Sequence, residues 1–314
     1  MIKKAVLALG GNAIIKAGQD GNIAQQFKNT RESLSGIVEL IEQGYKLAIT
    51  HGNGPQVGNL LIQQLAGLNS NISPLPLGVL NAATEGTMGY MIEQSLQNRL
   101  REHNIEKDVL TIITQVVVDN DDPSIKDPSK PIGPFFSREE AEKLSQKYKW
   151  HMIEDAGRGY RQVVPSPIPI DIVPSKTLQK LVDDGQIIIA CGGGGVPVYL
   201  DEDGNYEGLD AVIDKDHASA LLARKIDAEL LVILTGVEKV SLNFGKANQK
   251  DLDYITLEEA EKYMDEGHFP AGSMKPKIAA AIDFINKGGK RVLITSIDCI
   301  VEAFEGKNGT VIHT

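Results

Sequence analysis

Four apolar runs in the chain end in glycine: "AVLAL" leads into Gly10-Gly11-Asn12, "KLAIT" through His51 into Gly52-Asn53-Gly54, "QIIIAC" into Gly192 to Gly195, and "LLVILT" into Gly236 after Thr235. Glycine lets backbone N–H groups approach a bound anion closely, and in an open parallel sheet the carboxyl ends of the strands share the edge where ligands bind. One glycine after a strand is an ordinary tight turn; four on one edge predict a phosphate or other anion site. In "THGNGPQVGNLLIQQ", Pro55 suits the first turn of a helix whose free N–H groups would face that anion.

The familiar phosphate motifs are missing. The three Gly-Lys pairs continue as Ala247, Arg291 and Asn308, so there is no P-loop, and no window satisfies G-x-G-x-x-G. No cation stands on the first strand beside its glycines, so the charge must come from elsewhere. Three lysines stand in unusual settings. Lys130 lies between prolines in "DPSKPIGPFF", Lys215 is flanked by Asp214 and Asp216 in "VIDKDHA", and Lys277 opens a helix in "GSMKPKIAAAI". A cation at a helix start opposes the helix dipole unless an anion binds there. His51 ends a strand and reads as structural. The six histidines show no i,i+4 pair and no cysteine partner, so a zinc site is not expected.

The elements that must position these residues follow from the hydrophobic pattern. Runs such as "AVLAL", "KLAIT", "VLTIITQVVV", "QIIIAC", "LLVILT" and "RVLIT" are continuous rather than alternating, as in strands buried on both faces of a mostly parallel sheet. Helical segments over 27–43, 174–184 and 278–287 stop at Gly44, Gly185 and Gly288. This alternation predicts an α/β sandwich. Residues 119–174 break the pattern: they are rich in proline and charge, hold one short helix near 138–148, and read as a protruding subdomain or lid. Asp203-Gly204 reads as a β-hairpin turn.

The chain has 314 residues, enough for a sizeable core, with 42% hydrophobic and 24% charged residues. The net charge of −10 argues against nucleic acid or an anionic membrane as partner, and no apolar run is long enough for a membrane span. Cys191 and Cys299 read as buried thiols in a reducing, cytoplasmic compartment.

The segments "LALGGNA", "THGNGPQVG", "ACGGGGVPV", "AVIDKDHASALLA" and "AGSMKPKI", with "KPIGPFF" and "DAGRGYRQVVPSP" in the insert, resemble the carbamate kinases of the amino acid kinase family over essentially the whole chain. The resemblance implies a three-layer αβα sandwich with an open, mostly parallel central sheet and a protruding subdomain. It also implies a homodimer that transfers phosphoryl between ATP and carbamate, with Mg²⁺ held mainly by the nucleotide phosphates. Residues 1–185 would form the carbamate half, with the lid at about 119–174, and 186–314 the nucleotide half.

By the same resemblance, Gly10, Gly11, Asn12, Gly52, Asn53 and Gly54 would bind the small acid. Lys130, Lys215 and Lys277 would be catalytic, with Asp216 orienting the lysines. Asp214, Thr235, Gly236, Val237, Phe244, Met274 and Pro276, with Lys215 and Lys277, would contact the nucleotide. Relatives such as acetylglutamate kinase carry a lysine on the first strand, where this chain has Leu7, Ala8 and Leu9; in carbamate kinases Lys130 would supply the missing charge. The expected role is ATP formation from carbamoyl phosphate in arginine or purine-derivative breakdown. The alternatives are biosynthetic carbamoyl phosphate formation, another small-acid kinase of the family, or a non-catalytic nucleotide sensor.

Overall fold

A computed structural model describes residues 3–11, 14–15, 19–67, 72–155, 157–270 and 273–314. The chain opens with β1 (Lys4–Leu9), α1 (Ile23–Ser33), α2 (Ser35–Glu42), β2 (Lys46–His51), α3 (Gly54–Gly67), α4 (Leu77–Glu102), β3 (Val109–Thr111) and β4 (Gln115–Val118). The insert and its return hold α5 (Pro123–Lys126), β5 (Lys130–Phe136), α6 (Arg138–Tyr148), β6 (His151–Glu154), β7 (Tyr160–Val164) and β8 (Pro169–Ile172). Then follow α7 (Ser175–Asp183), β9 (Ile187–Ile189), β10 (Val196–Leu200), β11 (Tyr206–Gly208), α8 (Lys215–Lys225) and β12 (Leu230–Thr235). The chain closes with β13 (Val240–Leu242), β14 (Lys250–Leu252), β15 (Tyr254–Thr256), α9 (Leu257–Asp265), α10 (Met274–Asn286), β16 (Arg291–Ser296), α11 (Ile300–Phe304) and β17 (Thr310–His313).

Eight strands form the central sheet in the order β15-β17-β16-β12-β1-β2-β9-β3. It is parallel from β16 to β3, while β17 runs antiparallel to β16. Successive residues of one strand feed opposite faces. Val6 of β1 and Leu231 and Ile233 of β12 pack under α8 and α10, whereas Leu7, Leu9, Val232 and Leu234 pack under α2 and α4. Helices therefore cover both faces, which is why the strands read as unbroken apolar runs and why the fold is a three-layer αβα sandwich.

Two expected elements divide. The run "VLTIITQVVV" is two strands in different sheets, because Thr114 turns the chain between them: its hydroxyl donates to the Ile112 carbonyl (2.7 Å) and accepts from the Cys191 N–H (3.1 Å). The helix expected over 27–43 is α1 and α2, broken at Leu34. The expected helix ends at Gly44, Gly185 and Gly288 stand at φ 84°, 92° and 99°, the left-handed geometry that glycine favours. The hairpin at Asp203-Gly204 joins β10 and β11. Cys191 is buried, but Cys299 is only partly so.

The insert has an architecture that its proline and charge content concealed. β5, β7 and β6 form a separate antiparallel sheet with α6 beside it, and α6 occupies the segment expected to be helical. Ser137 caps α6 and Glu140 reaches back to the Ser137 N–H (2.8 Å), a reciprocal cap legible in "SREE". The base of the insert is not loose: Ile132 and Val164 are buried with Val57, Leu77, Leu80 and Val212 in a small core of their own.

Candidate active site

All four glycine turns stand at the carboxyl edge of the central sheet, since β1, β2, β9 and β12 run parallel. A Cβ on Gly10 would stand 2.6 Å from the Leu234 carbonyl oxygen, so glycine there lets the ends of β1 and β12 touch. The Gly52 N–H donates to the Leu9 carbonyl (3.1 Å), tying the second turn to the first strand. Gly193, Gly194 and Gly195 all have positive φ, 65°, 100° and 88°. A side chain on Gly193 would collide with Asn53, and one on Gly194 with the Ile213 carbonyl.

Polar groups behind these turns are committed to one another. The Asn53 Nδ2 donates to Asn81 and to the Thr84 hydroxyl (2.8 Å), and Asn81 in turn donates to the Gly195 carbonyl. Asn53 thus uses its amide to hold α4 against the glycine turn. His51 is fully buried, with Nδ1 paired to the Gly52 carbonyl at 3.2 Å. Burial, only partly offset by that hydrogen bond, lowers its pKa to about 4, so the ring is neutral near pH 7. That fits the structural role expected of it. Glu85 is buried too and accepts from the Thr114 N–H (2.9 Å); burial pushes its carboxyl well above the usual carboxylate range.

The charged side of the site is built on the N-termini of α8 and α10. Asp214 is the N-cap of α8: one carboxylate oxygen accepts from the Asp216 N–H (2.9 Å) and the other from Lys130 Nζ (2.7 Å). Asp216, in the first turn, pairs with both Lys215 and Lys277, the latter at 2.8 Å. Burial alone would raise both carboxyls, but the neighbouring ammonium groups hold them below the ordinary carboxylate range: Lys130 for Asp214, Lys215 and Lys277 for Asp216. Burial in turn lowers Lys215, against the pull of Asp216. The Lys215 stem lies across Gly52, 3.3 Å from where a Cβ would stand, so the charged side reaches the glycine side.

A cavity of about 310 Å³ opens between the two sides. Of the residues expected in the site, Gly52, Asn53, Gly54, Lys130, Asp214, Lys215, Asp216, Pro276 and Lys277 line it. A second cavity of about 330 Å³ is lined by Thr235, Gly236, Val237, Phe244 and Met274, all expected at the nucleotide, and shares Ser273 with the first. Pro276 therefore stands on the first cavity's wall rather than with Phe244 and Met274. Gly10, half-buried, and Gly11, exposed, line neither cavity, and Asn12 is outside the described residues.

Gly193, from one of the glycine clusters, lines the first cavity; Ile132, Val212 and Ile213 there, and Lys239, Ser241 and Pro270 in the second, were not singled out. The glycine run 192–195 held the signal for Gly193; the others are ordinary residues brought in by the fold. Among the described residues no group of three or more His, Cys, Asp or Glu is placed to hold a metal ion. No described helix is long and apolar enough to cross a membrane.

This sheet topology with paired lysines over glycine turns defines a phosphotransferase-type architecture, and the model of the amino acid kinase family matches residues 3–296: the chain belongs to that family. More particularly, it is 48% identical over 311 residues to the carbamate kinase of Pyrococcus horikoshii, covering 99% of each chain. Among solved structures it is similar to carbamate kinase from Giardia lamblia. The form bound to AMP-PNP is 39% identical with a TM-score of 0.90, and the form bound to citric acid is 38% identical with a TM-score of 0.92. Each comparison covers 99% of this chain and 98% of the other.

Proposed function

We propose that the chain is a carbamate kinase, catalysing ATP + carbamate = ADP + carbamoyl phosphate reversibly. The observation that carries this reading is the convergence of Lys130, Lys215 and Lys277 with two aspartates on one small cavity that adjoins a second at Ser273. Three ammonium groups against two carboxylates leave a net positive charge, as an anionic reacting group requires. The full-length similarity to carbamate kinases supports the same reading.

The second cavity takes adenosine between Phe244 and Met274, and the phosphates point towards α8 and α10. Lys215 and Lys277 hold the transferring group, oriented by Asp216; the Gly52–Gly54 turn borders the small acid, and Lys130 faces it from the insert. One carbamate oxygen attacks the γ-phosphorus in line. That oxygen is already ionised, so no general base is needed, and catalysis consists of positioning and charge stabilisation. The neutral, buried His51 accordingly takes no proton.

Magnesium fits this arrangement as a companion of the nucleotide. Both oxygens of Asp214 and both of Asp216 are already engaged by lysines or by the α8 backbone, so the chain offers no idle carboxylate pair there. When bound with the nucleotide, Mg²⁺ would offset the negative charge of the phosphates beside Lys215 and Lys277.

Carbamoyl phosphate is a mixed anhydride, so transfer to ADP is the downhill direction. This favours ATP formation in arginine or purine-derivative breakdown over biosynthesis. The protein acts as a cytoplasmic homodimer in this reading; the unpaired thiols of Cys191 and Cys299 suit a reducing compartment. The decisive assay is coupled ATP formation from ADP and carbamoyl phosphate with Mg²⁺, run beside ATP consumption with acetylglutamate, UMP and fosfomycin. No ATP from well-folded protein would remove the reading, and turnover of another acid would transfer it to that substrate.

A further inference from the structure

Lys130 arrives at Asp214 from a separate sheet, so something must fix that sheet to within the length of a hydrogen bond. Two glycines do so. A Cβ on Gly58, in α3, would lie inside the backbone of Gly133, meeting its Cα and N, so the helix and β5 touch backbone to backbone. Backbone cannot swing aside as a side-chain tip can, and at this position any residue but glycine moves the strand. Gly133 stands only three residues beyond Lys130 on β5.

The strand is shaped for the contact. Pairing of β5 with β7 is interrupted between Ile132 and Phe136, and Gly133 has φ 73°. The interruption frees the Gly133 carbonyl, which accepts from Arg161 Nε (3.1 Å); Arg161 is held in turn by Asp155 (3.2 Å) and lies over the Phe135 ring. On either side of the contact, Ile132 and Val164 are buried against Val57.

We infer that Gly58 is a positioning residue for phosphoryl transfer: its contact with the Gly133 bulge sets the height of the insert over the cavity, and so delivers the Lys130 ammonium to its place beside Asp214. The inference rests on the proposed reaction. It gives "GNGPQVG" a second duty, with Gly52 to Gly54 lining the cavity and Gly58 docking the insert.

The test is Gly58→Ala. A misplacement of about 1 Å at a reacting group can cost about 10²-fold in rate. Gly58→Ala is expected to lower kcat for ATP formation by about that factor while the KM for ADP stays as in wild type, because the nucleotide cavity is untouched. The double variant Gly58→Ala/Lys130→Ala should be no slower than Lys130→Ala alone. Hydrogen exchange of residues 130–164 should rise, whatever the substrate proves to be. Gly67→Ala, in the same helix, places its Cβ at an ordinary 3.7 Å from Ile72 and should change none of these. Where Gly58→Ala fails to fold, Arg161→Met removes the donor to the Gly133 carbonyl and should act in the same direction by a smaller factor.

Wild-type kcat and wild-type exchange in folded Gly58→Ala would overturn the inference, as would full additivity with Lys130→Ala. A wild-type protein that makes no ATP from carbamoyl phosphate would refute the proposed reaction instead, and exchange in the insert would still decide whether Gly58 docks it.

Discussion

The glycine side and the lysine side of the cavity are made from opposite materials. At the ends of β2 and β9 the wall is backbone, with Gly193 to Gly195 in left-handed geometry and Asn53 turned inward to Asn81 and Thr84. At the starts of α8 and α10 it is made of ion pairs, with Asp216 between Lys215 and Lys277 and Asp214 holding Lys130. The first side needs room and shape, which the fold must supply at the expense of backbone freedom. The second needs charge at helix N-termini, where cations are disfavoured until an anion arrives; the aspartates keep the lysines in place meanwhile. Shape and charge are thus separable, and substitutions should distinguish them.

The largest effect is expected on the charged side. Lys215→Ala and Lys277→Ala should each lower kcat by about 10²–10³ or more, the loss typical of one positioned donor, with little change in fold. Because both lysines share Asp216, the double variant should fall short of the product of the two losses. Independent, multiplicative losses would separate the pair and break that side of the comparison.

On the glycine side the expected loss is in stability. Gly193→Ala forces φ 65° on an alanine and drives its methyl into Asn53, at a cost of about 1–3 kcal/mol from the backbone alone. A lowered midpoint in thermal or denaturant unfolding reads this directly. An unchanged midpoint would mean that the turn is not under the constraint described.

His51 offers a pH test of the same wall. Its folded-state pKa of about 4 lies below the ordinary 6.5, so the unfolded chain binds the proton first, and stability is full above the unfolded value and falls with pH through the window down to the folded one. Between pH 7 and pH 5 wild type should lose about 2 kcal/mol relative to His51→Gln, which cannot titrate. Parallel curves for the two proteins would show that the ring is not buried neutral. The smallest effect belongs to Phe244→Ala: the ring is 57% exposed at the second cavity, so a few-fold rise in the KM for nucleotide is expected, with kcat unchanged.

Much of the sheet was legible because its strands are buried on both faces and carry no alternating interruption. Gly44, Gly185 and Gly288 marked helix ends for a local reason, their positive φ. What was not legible depends on partners remote in sequence. Thr114 splits "VLTIITQVVV" through a bond to Cys191, and Lys130 finds Asp214 across 84 residues. The insert's prolines suggested irregular chain, yet Ile132 and Val164 anchor an ordered sheet. In the site, the lysines are marked by their local settings: prolines around Lys130, aspartates around Lys215 and a helix start at Lys277. The family resemblance put Asn53 among the small-acid ligands, and the structure shows that its amide is engaged with Asn81 and Thr84.

The central claim is that the cation missing from β1 is supplied by Lys130 from the insert. The direct measurement is steady-state ATP formation from ADP, carbamoyl phosphate and Mg²⁺ by wild type and Lys130→Ala, with folding checked by circular dichroism. The account predicts active wild type and a variant slowed about 10²-fold in kcat at an unchanged KM for ADP. Near-wild-type turnover by folded Lys130→Ala would contradict it.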